Sequence, residues 1–315
     1  MPSPVAILTA DLHFSEKPPV ARSAEPDWFA AQERQWKQLR DAAQQKKVPI
    51  VIAGDVFDVW RSSPATINFA LRMMQGFQWG IFAVPGQHDL PNHSYTEIER
   101  SAYWTLVRAE VMVNLKPDRV HEDYNGQLLM QGVPWGFEIP PGEMSGECPP
   151  VLLAVVHRYC WMMGKSYPDA PKENHAASIS RQLAGYDAAV FGDNHKGFLA
   201  ECNECTVLNC GGFMGRTSDE RDYAPRYGVL YDVGTIRRVA FDISEDKWLD
   251  QEDVAEVAAE RLDVSDLVDE LQSLGGDALN FVELLTRYLD DRQVDLDVRK
   301  LVLQALEKGR ENAET

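Results

Sequence analysis

Carboxylates and imidazoles recur in this chain at one kind of place, directly after short apolar runs. Residues 5–10 lead into Asp11 and His13. Val51-Ile52-Ala53-Gly54 leads into Asp55 and then Asp58. Residues 79–84, closed by Pro85-Gly86, lead into Gln87, His88 and Asp89. Residues 151–156 end at His157, and 188–191 end in Gly192-Asp193-Asn194-His195. One Asp or His at a strand end is ordinarily structural. Five in succession describe a rim, because open α/β sheets gather their ligands outside the carboxyl ends of strands. Mixed carboxylate and imidazole donors suit a divalent ion such as Mn²⁺, Zn²⁺ or Fe²⁺. A carboxylate shared by two such ions holds them ~3.5–4 Å apart for in-line displacement at phosphorus.

Elements must deliver those residues to one rim, and the patterning supplies them. Asp27 is an N-cap for a helix to about residue 45, with Trp28, Ala31, Gln35 and Leu39 at helical spacing. Residues 49–53 and 79–84 are strands, and Ser63-Pro64 opens a helix to about residue 75. This βαβαβ alternation predicts a parallel sheet with right-handed crossovers. A helix fits 94–107, and shorter strands fit 110–135. A Pro/Gly/Glu loop at 138–150 could lie over the rim. A helix near 176–184, a hairpin at 198–210 and two strands at 226–232 and 236–243 complete the body. From about Trp248 the pattern turns helical: 250–262, 264–274, 277–290 and 294–309. The expected domains are 1–245, holding the rim, and 246–315, an acidic helical segment.

In order, the motifs resemble those of the calcineurin-like metallophosphoesterases: Asp11-Leu12-His13, Gly54-Asp55-Val56-Phe57-Asp58, Gly86-Gln87-His88-Asp89, His157, and Gly192-Asp193-Asn194-His195. The resemblance covers about residues 5–243. It implies an α/β metallophosphoesterase β-sandwich flanked by helices, here with a C-terminal helical appendage. Within that superfamily the chain is most similar to the Mre11/SbcD-type DNA nucleases. The similarity is carried by Gly54–Asp58 with Ser62-Ser63-Pro64, and by residues 209–220 with Tyr227-Gly228-Val229. Ser/Thr phosphoprotein phosphatases have Arg-Gly after the second carboxylate, and this chain does not.

The resemblance implies roles. Asp11, His13, Asp55 and His195 hold one ion. Asp55, Gln87, His157 and Asp193 hold a second, with Asp55 as the bridge. His88 acts on the scissile phosphate and Asp89 orients its imidazole; the nucleophile is water activated by the ions. Asp58 supports its loop. Gln87 stands where Asn is usual and Asp193 where His is usual, which makes the second site weakened or rebuilt. A rebuilt site is harder, which favours Mn²⁺ or Mg²⁺ over Zn²⁺. The implied substrate is DNA. The implied partner is a Rad50/SbcC-type ATPase docked on the C-terminal helices, and a second copy of the chain is an open partner.

Composition bounds these expectations. The net charge of −18 is concentrated at the end: from Asp242 onward there are 21 acidic and 8 basic residues. An acidic chain disfavours nucleic-acid binding in general, yet the body is nearer neutral. A phosphoesterase for a small nucleotide or other phosphoester is therefore the alternative, and a non-catalytic partner-binding protein the third reading. No apolar run spans a bilayer, so a cytoplasmic protein without membrane association is expected. Five cysteines make no disulfide framework, and Cys202 and Cys205 are read as facing strand residues. His93 and Arg216 are candidate substrate contacts, the alternative for Arg216 being an ion pair with Asp219 or Glu220. His121 and His175 are expected at the surface. Trp135, Phe137, Trp161, Met162 and Met163 are read as packing residues, the alternative being that they stack on bases.

Overall fold

The computed structural model describes residues 2–142, 150–167, 170–250 and 253–254. They fall within one compact unit, Met1–Val254. Of the helices expected over 250–309, all but residues 250 and 253–254 lie outside the described residues, as do residues 143–149 of the loop expected at 138–150.

The first four strands are β1 (Pro4–Thr9), β2 (Ile50–Ala53), β3 (Ile81–Val84) and β4 (Val113–Asn114). They run parallel in that order. Helices α1 (Trp28–Lys46), α2 (Pro64–Met74) and α3 (Ala102–Arg108) connect them. Two late strands, β11 (Arg226–Tyr231) and β12 (Ile236–Ala240), add antiparallel beside β1, giving the order β12-β11-β1-β2-β3-β4. The second sheet contains β5 (His121–Glu122), β6 (Leu128–Val133), β7 (Val151–His157), β8 (Ala188–Gly192), β9 (Phe198–Cys202) and β10 (Cys205–Asn209). Its order is β5-β6-β7-β8-β10-β9, parallel in the middle with an antiparallel strand at each edge.

Parallel strands buried on both faces read as continuous apolar runs, and alternate residues here serve different layers. Leu8, Val51, Ala53, Phe82 and Val84 meet Leu153, Val155, Val190 and Leu208 between the sheets. Ile7, Ile50 and Ile52 face α1 and α2 through Trp36, Leu39 and Phe69. On the far side, Leu152, Ala154, Val156 and Phe191 pack on Ile179 and Leu183. The result is a helix–sheet–sheet–helix sandwich, as expected.

Caps set the helix ends. Asp27 accepts from the Ala30 N–H at 3.0 Å. Ser63 accepts from the Thr66 N–H, with Pro64 in the first turn. The single helix expected over 94–107 is divided. Ser101 is extended, and its Oγ accepts from the Trp104 N–H and donates to the Ile98 carbonyl. A 3₁₀ stretch, Tyr95–Arg100, therefore ends there and α3 starts afresh. The helix near 176–184 is a short α4 (Ala176–Ile179) followed by a 3₁₀ turn. Cys202 faces Cys205 across the β9–β10 hairpin. His121 corrects a surface expectation: it is buried, and its Nε2 accepts from the Lys116 N–H at 2.9 Å. Among the described residues no helix is long and apolar enough to cross a membrane.

Candidate metal centre

Four of the site residues leave their strands through a backbone that few residues adopt. Asp11, His13, Asp55 and Asp193 all have positive φ, between 46° and 79°. That left-handed region costs a residue with a Cβ about 1 kcal/mol or more and persists where the surroundings enforce it. The enforcement is visible. Asp11 N–H donates to the Gly54 carbonyl, and His13 N–H to the Asp55 carbonyl, each at 3.0 Å. The Asp193 N–H donates to both Asp11 carboxylate oxygens, at 3.0 and 3.2 Å. The ends of β1, β2 and β8 are thereby laced together at the rim.

Two glycines make room. Gly54 has φ +91°, and a Cβ there would lie 1.9 Å from His157 Nδ1. A Cβ on Gly86 would lie 2.1 Å from Asp55 Oδ1. Both motif glycines are therefore needed for the approach of one loop to another, beyond their role in turning the chain.

The imidazoles are held so that one nitrogen of each faces the centre. His157 Nδ1–H donates to the Ala53 carbonyl at 2.7 Å, which leaves Nε2 toward Gln87 Oε1 at 2.6 Å and Asp55 Oδ2 at 3.4 Å. His13 and His195 face each other through Nε2 at 3.3 Å. Behind them, His13 Nδ1 lies 3.4 Å from Asp58 Oδ1, and His195 Nδ1 lies 3.8 Å from Glu220 Oε1. A carboxylate behind an imidazole fixes its tautomer and raises its basicity as a ligand. With the outer nitrogens protonated, the neutral His13 and His195 rings would point lone pairs at each other. Only a proton or a cation relieves such a contact.

The charge balance agrees. Burial drives His13 down to about 4, against the pull of Asp58 and Asp55, and burial also lowers His195. Both rings are thus kept neutral, the form that binds metal. For His157 burial opposes the charge, but Asp55, with Asp11 and Asp193 behind it, raises the ring to about 10. Burial works to raise the Asp55 carboxyl, and His157, His13 and His88 more than reverse it, holding Asp55 ionised. Three donor groups emerge among the described residues: Asp11 with His13 and His195, Asp11 with Asp55 and His157, and His13 with Asp55 and His88. Asp11, His13 and Asp55 each belong to two of them. The donor set fits divalent cations on both sides of Asp55.

Gln87 and Asp193, the two departures from the family pattern, touch. The Gln87 amide donates through Nε2 to Asp193 Oδ1 at 2.8 Å while its Oε1 faces His157. Asp193 thus steadies the amide and aims its oxygen.

Two expectations need correction. Asp89 does not orient His88. Its buried carboxylate is consumed by the backbone N–H groups of Gly86, Val56 and Phe57, a staple that holds the Asp55 loop to the Gln87 loop. Burial and repulsion from Asp55 raise it to about 7. The His88 ring is instead anchored by Nδ1–H to the Asp58 carbonyl at 2.8 Å, and its backbone N–H donates to Asp55 Oδ1 at 3.0 Å. Arg216 pairs with neither Asp219 nor Glu220: its guanidinium reaches Asp58 Oδ1 at 2.7 Å and the His13 carbonyl at 3.2 Å. Its cation is thereby engaged in bracing the loop, and with His13 it holds Asp58 down to about 2 against burial. His93 is exposed, with its ring 5.4 Å from Trp135. The sequence offers Glu220, which lies behind His195, only as an ion-pair partner for Arg216. The signal for its place is Thr217, which opens a capping box closed by Glu220.

The model of the calcineurin-like phosphoesterase family matches residues 5–197. No curated protein matches the chain. Solved structures with a similar fold include TT1561 of Thermus thermophilus, at 11% identity and TM-score 0.45, covering 76% of this chain and 99% of that one. An archaeal phosphodiesterase aligns at 11% identity and TM-score 0.37, covering 75% and 99%. A dimetal phosphatase from Danio rerio aligns at 9% identity and TM-score 0.46, covering 77% and 100%.

Proposed function

This chain belongs to the calcineurin-like phosphoesterases and is a hydrolase of phosphoester bonds, and we propose that it is a two-metal phosphodiesterase whose substrate is DNA. The observation that supports the two-metal reading is the set of donors flanking Asp55: His13 Nε2 facing His195 Nε2 on one side, and His157 Nε2 with Gln87 Oε1 on the other, where the proton on His157 occupies the place of a cation. One ion belongs with Asp11, His13, Asp55 and His195. The other belongs with Asp55, His157 and Gln87, with Asp193 holding the Gln87 amide. Divalent ions there, Mn²⁺ first among them, supply Lewis-acid charge at the phosphoryl oxygens and activate water.

The rest of the chemistry falls to the chain. His88 is exposed and stands edge-on to His13 with ring centroids 5.0 Å apart. Its Nδ1–H is committed to the Asp58 carbonyl, so Nε2 is the atom that can hand a proton to a leaving oxygen. Asp58 serves both rings, His13 through its side chain and His88 through its carbonyl. Arg216 clamps it.

Support for DNA comes from the likeness of residues 54–64 and 209–229 to Mre11/SbcD-type nucleases. By the same likeness, the C-terminal segment outside the described residues is the proposed dock for a Rad50/SbcC-type ATPase. A small nucleotide ester is the second reading, favoured by a cavity that opens beside His157 and Asp193. With Mn²⁺, bis-p-nitrophenyl phosphate should be cleaved in preference to p-nitrophenyl phosphate, and single- or double-stranded DNA should be degraded. Asp55→Ala should bind neither ion. Preference for the monoester would overturn the diesterase reading, and inert DNA with an active diesterase would overturn the nuclease.

A further inference from the structure

Beside the second half of the metal centre opens a cavity of about 360 Å³, which shares His157 and Asp193 with it. That volume lies at the lower end of the ~300–1,000 Å³ typical of small-molecule sites. Trp135, Phe137 and Tyr159 line it, and each ring is braced by another: Trp135 by His93 at 5.4 Å, Phe137 by Tyr95 at 5.1 Å, and Tyr159 by Tyr167 at 4.9 Å. Trp135 is fixed at its backbone, where its N–H donates to the Pro85 carbonyl just before the Gln87 motif. An aromatic wall thus runs from the metal centre to His93.

The polar lining decides what such a wall can take. Besides His157, whose charge is paired with Asp55, Arg158 is the cation of the lining, and its guanidinium is already engaged: Nε reaches Asn174 Oδ1 at 3.2 Å and Nη1 reaches Gln182 Oε1 at 3.4 Å, with Glu138 at 3.8 Å. Glu138 and Glu173 add exposed carboxylates. A phosphate is repelled from this lining. An uncharged flat ring that donates hydrogen bonds from ring or exocyclic nitrogen is not: its faces suit the aromatic walls and its N–H groups suit the carboxylates and Asn174. The cavity and the metal centre therefore divide the parts of a nucleotide between them.

Building on the two-metal reading above, we propose that this cavity receives the base of the nucleotide whose phosphate lies at the metal centre. A base that presents its faces to aromatic side chains is out of any duplex stack, so the substrate class is an unpaired nucleotide, at a strand end or as a small ester. Trp135 and Phe137 become specificity residues, and His93 becomes the brace for Trp135.

Two measurements test this independently of each other. The first compares kcat/KM with Mn²⁺ for the p-nitrophenyl ester of thymidine 5′-phosphate against methyl p-nitrophenyl phosphate, which has no base. Wild type should prefer the thymidine ester, and Phe137→Ala should reduce that preference about tenfold or more through KM, as expected for lost base stacking. Phe137→Trp should restore it, and far-UV circular dichroism checks that both variants fold. The second is quenching of tryptophan fluorescence by adenosine in chelator, where the ions play no part. Quenching in wild type that is lost in Phe137→Ala supports the cavity even if neither ester is turned over, a result that would sink the diesterase reading instead. Equal turnover of the two esters, or adenosine quenching unaffected by Phe137→Ala, overturns the base site.

Discussion

Gln87 and Asp193 show how much a single side-chain contact can reorganise a site. The motifs that this chain resembles carry Asn and His at these positions, and here both differ. Their 2.8 Å hydrogen bond makes the two changes one feature. Gln is a methylene longer than Asn, so its nitrogen can reach the Asp193 carboxylate while its oxygen stays at His157. Residues in direct contact couple by about 0.5–3 kcal/mol. Gln87→Asn alone should therefore leave the Asp193 carboxylate without its donor and weaken the second ion. Asp193→His alone should strip the Gln87 amide of its acceptor. The double variant should recover the second ion better than either. Mn²⁺ titration of the three proteins checks this, and strictly additive losses would show that the two positions act separately. The donors themselves were legible in the sequence because each is a polar residue ending an apolar run. Their supports were not. Asp58 and Arg216 meet across 158 residues, and no local pattern announces such a pairing. Asp89 misleads for the opposite reason: adjacency to His88 suggests a partnership, while its buried carboxylate answers the nearer demand of three backbone N–H groups.

At the scale of elements, the strand–loop junctions carry the function. The strands were readable because β2, β7 and β8 are apolar on both faces, and α1 and α2 because their caps and spacing agree. The stretch 94–107 reads as one helix because its apolar spacing continues through Ser101, whose hydroxyl is in fact a cap. What no periodicity carries is the left-handed turn after β1, β2 and β8. Gly54 is the critical case. It combines φ +91° with a Cβ position 1.9 Å from His157 Nδ1, so Gly54→Ala must either strain the turn or push the imidazole off the Ala53 carbonyl. The expected result is a folded protein that loses the second ion and about 10²-fold in kcat, since displacement of a catalytic group by about 1 Å costs that much. Gly76 also has positive φ, +71°, but a Cβ added there would meet nothing within 4 Å. Gly76→Ala should cost some stability and leave the ions in place. If both variants bind both ions equally, the close approach at Gly54 is not what positions His157.

The whole molecule supplies the last constraint, because the donors come from both sheets. Asp11, His13 and Asp55 stand at strand ends of the first sheet, whereas His157 and His195 stand at strand ends of the second. An ion held by both sets ties the sheets together at the rim, where the apolar layer between them ends. Binding to the folded state alone stabilises it by about 2.7 kcal/mol at a hundred times Kd, or roughly 5–10 °C in Tm for a domain of this size. The pH dependence has a definite sign. His157 is raised above 6.5 to about 10, so in the metal-free protein its ion pair with Asp55 stabilises fully below about 6.5 and is lost as pH rises through about 10. A metal ion must displace that proton. Ion affinity should therefore rise by up to about tenfold per pH unit below 10, and the Tm gain at fixed Mn²⁺ should be larger at pH 8.5 than at pH 6.5. Chelator should abolish the gain at either pH, as should Asp55→Ala. Hydrogen exchange then separates bridging from one-sided binding. Mn²⁺ should slow exchange in β1 and β2 together with β7 and β8. Protection confined to one sheet would mean that the ion sits within a single set of donors, and the assignment of Asp55 as the shared ligand would fall with it.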